Sequence, residues 1–124
     1  MSAPNVVNIG TLTLKTDTFS LSTTSATSVL NNASSSGKVL RVVNIDGSDS
    51  VNATAGLFNQ ANAAGGSASG TQTMLIQLKA VAANTNLDII TRDTPVYLEE
   101  DTSLGVTASN ANDLSVIVTY EEIS

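Results

Sequence analysis

Leu114-Ser115-Val116-Ile117-Val118-Thr119-Tyr120 is the stretch on which the fold turns. Taken in steps of two, Leu114, Val116, Val118 and Tyr120 fall on one side, and Ser115, Ile117 and Thr119 on the other. That alternation is the period of a half-buried strand. It predicts the first set inward and the second outward.

Working back along the chain, Leu104, Val106 and Ala108 repeat the pattern, separated from the last strand by the Asn-rich turn Ser109 to Asn112. Glu99-Glu100-Asp101-Thr102 reads as a charged turn, and Pro95 stands at a strand start before Val96 and Leu98, where a missing backbone donor is tolerated. Leu87, Ile89 and Ile90 predict a short strand after the turn Ala83 to Asn86. Met74, Ile76 and Leu78 predict one with those three residues on a single face. Asn59 to Gly70 is low in complexity and Gly-rich, with little apolar surface to offset its ordering entropy, so a mobile surface loop is expected.

Further back, the nearly continuous apolar run in Lys38 to Asp46 predicts a central strand covered on both faces. Asp46-Gly47 is a tight-turn signal, and the alternating Val51, Ala53, Ala55 and Leu57 predict a hairpin across Asp46 to Ser50. Ser34 to Gly37 reads as a turn, and Ser22 to Ser28 as a loop or edge segment. Thr11 to Lys15 alternates with Leu12 and Leu14 on one side, while Phe19 and Leu21 take the opposite parity. A register reset near Asp17 is therefore expected. The expected organisation is an N-terminal arm and first strand in residues 1–17 and a β-sandwich domain in residues 18–124. With eight to ten strands and turns every 8 to 12 residues, the fold class is all-β, a single antiparallel sandwich resembling a jelly roll.

Composition narrows the function. Of 124 residues, Ser, Thr and Asn supply 44 and charged residues only 16. Hydroxyls and amides, rather than Lys and Glu, are expected to keep the chain soluble. The net charge is −6, and the five basic residues (Lys15, Lys38, Arg41, Lys79, Arg92) form no patch. Nucleic acid and anionic membrane are therefore not expected partners. No apolar run approaches the roughly 20 residues that a spanning helix needs.

With neither His nor Cys in the chain, the usual general base and the best zinc ligands are missing. No Ser-x-x-Lys or Gly-x-Ser-x-Gly motif supplies a nucleophile. Asp46-Gly47-Ser48-Asp49-Ser50 lacks the spacing and the terminal Glu of a calcium loop, and turn chemistry explains it better. Gly65 to Gly70 has no following Lys and opens no helix, so it is no phosphate cradle. The acidic run Glu99 to Asp101 reads as a solvated turn. Asn32-Ala33-Ser34 and Asn52-Ala53-Thr54 are formal glycosylation sequons, read as chance. The expectation is no enzyme, no cofactor and no metal.

In the second half, Val81 to Thr85, Pro95 to Leu104, Val106 to Ser109, Asn112 to Leu114 and Thr119 to Ile123 form a recognisable series. Together these segments resemble small virion-associated proteins of tailed phages, especially marine ones. The stretch Thr24 to Asp46, with Ser36-Gly37-Lys38-Val39-Leu40-Arg41-Val42, is similar to the first half of that group. The resemblance implies a non-enzymatic structural protein of the virion. A capsid decoration (cement) protein bound to the major capsid protein is the leading expectation, and by analogy with decoration proteins it would be a homotrimer. A tail, neck or fibre component is the alternative within the group. A carbohydrate-binding module is a further alternative, weakened by the absence of Trp and the inward parity of Tyr120. The N-terminal extension and the Asn59 to Gly70 segment lie outside the matching pattern. Met1 to Asn8 is expected to be an arm, and strand addition to a neighbour would use Val6, Leu12 and Leu14 as contacts.

Overall fold

A computed structural model describes residues 12–33, 37–47, 50–91, 93 and 96–123. The alternating stretch becomes the inner half of β9 (Leu114–Ile123). Leu114, Val116, Val118 and Tyr120 are buried, and Ser115 and Ile117 face out. Before it run β1 (Leu12–Leu21), β2 (Thr27–Asn32), β3 (Gly37–Gly47), β4 (Val51–Phe58), β5 (Gln72–Val81), β6 (Thr85–Ile90), β7 (Val96–Leu98) and β8 (Thr102–Ala108). No helix occurs among the described residues.

The strands form two antiparallel sheets. One has the order β1-β9-β3-β6, with β7 also on β3, and the other β2-β8-β4-β5. β6 and β7 lie end to end along one side of β3, against Val43–Gly47 and Lys38–Leu40. One apolar core joins the sheets. Leu21, Val43, Ile45, Ile90, Leu98, Leu114, Val116 and Val118 come from the first, and Leu30, Val51, Ala53, Ala55, Leu104 and Val106 from the second. This is a β-sandwich. The high content of Val, Ile and Thr suits its pleated, half-buried surfaces.

Three local readings are corrected by the pairing. First, β1 runs alongside β9 from Leu12 to Leu21 with no register shift, so nothing resets near Asp17. The parity that buries Leu21 therefore turns Leu14 outward, 66% exposed. The strand passes through position 17, and residues 12–17 belong to the sandwich. Second, β3 and β4 do not form a hairpin. β9 occupies one side of β3 and β6 with β7 the other, so the chain crosses to the second sheet, where β4 lies between β8 and β5. Third, Met74, Ile76 and Leu78 do not share one face. The β4–β5 ladder shifts between Ala53 and Ala55 and again between Ala55 and Gly56, each time adding a residue on β5. Ile76 packs against the core, while Met74 and Leu78 point to solvent.

The loop or edge segment expected over Ser22 to Ser28 leads into β2, which runs on to Asn32. Its Val29 and Leu30 are buried. The turn readings at Ser34–Ser36 and Ser48–Asp49, the strand start at Pro95, and the arm Met1 to Asn8 lie outside the described residues.

Candidate functional site

The second sheet carries a covered outer face. Phe58 and Gly105 sit on its outward parity and are nevertheless buried, because residues 59–70 fold over them. The base of this segment is closed by Asn59 N–H donating to Thr71 O (3.1 Å) and Thr71 N–H to Asn59 Oδ1 (2.8 Å). Two buried serines of the sheet then hold it down. Ser28 Oγ donates to Asn62 O (2.8 Å), and Ser103 Oγ to Gln60 O (2.8 Å). Asn62 Nδ2 reaches back to Ser103 Oγ (3.1 Å) and to Ser69 O (2.9 Å).

The same segment covers the start of the free edge of β2. Ser28 N–H donates to Gly66 O (2.8 Å), Gly65 N–H to Ser28 O (2.7 Å), and Ala68 N–H to Ala26 O (2.9 Å). An open edge offers unpaired backbone groups to any other strand, and a covering loop removes that hazard. The expectation of a mobile loop is thus replaced by a hydrogen-bonded cover. Its small residues give it close approach rather than freedom: a Cβ on Gly105 would run into the Phe58 ring and stand 3.2 Å from Ala68 Cβ.

A second constellation lies on the inner face of the first sheet, at the end beyond the apolar core. Tyr120 donates its hydroxyl to Asp17 Oδ2 (3.2 Å). The Lys38 ammonium stands 5.5 Å from the Tyr120 ring centroid and donates to Asn31 O (2.6 Å), tying β3 to β2 across the sandwich. Asn32 Nδ2 donates the other way, to Leu98 O (2.9 Å), and Lys15 pairs with Glu122. Burial, then the neighbouring Asp17 carboxylate, pushes the Tyr120 hydroxyl up to about 12. Burial also lowers Lys38, against the attraction of Glu122. The hydrogen bond from Lys15 lowers Glu122. A tyrosine held protonated, beside a lysine already engaged with a carbonyl, ties strands together but is not poised to exchange protons near neutral pH.

The residues singled out in the sequence fall elsewhere. Leu12 pairs with Ile123 and Leu14 with Glu121 in the β1–β9 ladder, so both belong to a strand of the sandwich. Leu14 is left as an outward apolar contact, and Val6 lies outside the described residues. Glu99 to Asp101 forms the turn before β8: Thr102 Oγ1 donates to Glu99 O (2.6 Å), and Asp101, at φ 61°, donates its N–H to Asn32 O (2.7 Å). Asn32, the first sequon asparagine, is buried with its amide engaged, a position closed to a glycan. Among the described residues no group of three His, Asp or Glu could hold a metal. An open depression of about 360 Å³ lies between residues 50–52, 80–82 and Ser109, lined by small aliphatic, hydroxyl and amide side chains without a titratable group. No motif in the sequence marks the covering segment or the tyrosine cluster. Their only sequence signals are the inward parity of Tyr120 and a run of residues small enough to lie flat on a sheet. No protein-family model matches the chain, and no curated protein is significantly similar to it.

Proposed function

We propose that the chain is a non-enzymatic structural component of a tailed-phage virion, decorating or cementing the head through contacts with the major capsid protein. The observation that carries this reading is the resemblance of Pro95 to Leu104, Val106 to Ser109 and Thr119 to Ile123 to small virion-associated proteins. Those segments run through β7, β8 and β9. The fold supports it further. β1-β9-β3-β6 faces β2-β8-β4-β5, and the chain changes sheet at nearly every connection. That alternation between sheets supports a jelly-roll reading, and jelly rolls are a fold used in viral capsids. Its strands are cross-linked by hydroxyls, amides and one part-buried Tyr–Asp pair, which suits a rigid module.

Co-sedimentation with tailed-phage heads and with separated tails, run beside a glycan array, tests the reading. Saturable binding to heads at a fixed ratio to the capsid protein is expected. Binding to tails alone would move the module along the particle. Glycan binding without particle binding would overturn the proposal in favour of a carbohydrate-binding module.

A further inference from the structure

The two outer strands of the second sheet are treated differently. The start of the β2 edge is covered by residues 65–68, whereas among the described residues β5, at the opposite edge, pairs with β4 alone. Among the described residues five large apolar side chains are prominently exposed, and three of them stand on β5: Met74 (46%), Leu75 (38%) and Leu78 (64%). Leu78 also has φ 50°. The left-handed region is a genuine outlier for a branched, bulky side chain, and such strain persists where something is gained from it. Within the chain the return is small: Leu78 N–H donates to Thr54 Oγ1 (3.0 Å), while the side chain is turned into solvent. A bulge of this kind re-aims a side chain.

We propose that a second copy of this chain docks against the β5 edge in an antiparallel, twofold contact. Three properties favour this occupant. Antiparallel apposition about Ile76 sets Met74 of one copy beside Leu78 of the other at both ends, so apolar meets apolar twice, as an isologous contact requires. Lys79 is the only charged residue in Gln72–Val81, so two copies of net charge −6 meet here without opposing carboxylates. The two Lys79 side chains lie on opposite sides of the axis, about 20 Å apart at ~3.4 Å per residue, beyond the screening length of about 8 Å at physiological salt.

The contact is a weak one. A ten-residue strand is about 34 Å long, and with side chains it offers on the order of 400 Å² per copy, roughly half of what stable complexes bury. Association is therefore expected only at high protein concentration and is strengthened wherever copies are held side by side. This inference does not depend on the virion reading, because self-association is measured without particles.

Sedimentation equilibrium of the intact chain up to about 1 mM tests it. The average mass should rise with concentration towards two copies of 12.7 kDa. Met74→Asp should hold the chain monomeric. Leu78→Gly should weaken association at least tenfold while the melting temperature stays equal or rises, since glycine relieves the backbone strain. A residue serving only its own fold would lower it. The proposal is overturned if the wild type stays monomeric throughout, if a closed three-copy species forms instead, or if neither substitution changes the association. Loss of particle binding on Met74→Asp in a monomeric wild type would identify another virion protein as the occupant and equally overturn self-docking.

Discussion

Val116 and Ser115 are neighbours in the chain and face opposite environments, one fully buried and the other exposed. Val116→Asp places an unpaired carboxylate in the core and should cost about 4 kcal/mol, a large part of the 5–15 kcal/mol that typically holds a domain together. Ser115→Asp should stay within about 0.5 kcal/mol. Denaturant titration of both variants checks this, and equal losses would contradict the register. Tyr120 gives a test of a different kind. Its hydroxyl ionises near 12 in the fold, against about 10 in the unfolded chain. Between those values the unfolded chain has lost a proton that the fold retains, so stability falls as pH rises. The contribution is complete below pH 10 and lost through pH 12. Absorbance titration should show a late-ionising tyrosine that disappears in Tyr120→Phe, and that variant should lose about 1 kcal/mol at neutral pH. The inward direction of Tyr120 was legible from its parity. Its partner Asp17 was not, because residues 103 positions apart meet only once the order of strands is known.

Strands were legible wherever strict alternation coincided with burial, as in β8 and β9. They were misread where local pattern and tertiary pairing part company. In β5 the two bulges turn Met74 and Leu78 away from the face their spacing assigns. At Asp46-Gly47 the turn chemistry signals a reversal of the chain but cannot say which sheet receives it, and a β3 flanked on both sides leaves β4 no place beside it. The covering segment escaped notice because Gly, Ala and Ser are equally at home in a mobile loop and in a layer pressed against a sheet. Its packing makes two expectations. Gly105→Ala should cost about 1–3 kcal/mol by forcing Phe58 and Ala68 off the sheet. Elastase, which cleaves after small residues, should spare residues 61–68 in the folded protein, and rapid cutting there would contradict a docked cover.

At the scale of the molecule, the described residues form a two-layer sandwich in which the start of one β edge is covered and another edge bears exposed apolar side chains. Circular dichroism should show strand signal and little helix; a helical content near one third, the globular average, would contradict the architecture. The fold class was legible because period-2 patterning runs through most of the chain. The functional proposal rests on resemblance alone, since a structural module needs surfaces rather than a catalytic constellation, and surfaces leave no motif. The most direct test of the central proposal is imaging of tailed-phage particles, purified without this chain and incubated with a labelled copy. Label at regular intervals over the head, in fixed stoichiometry with the capsid lattice, is the expected result. Particles that remain bare under saturating protein would contradict it.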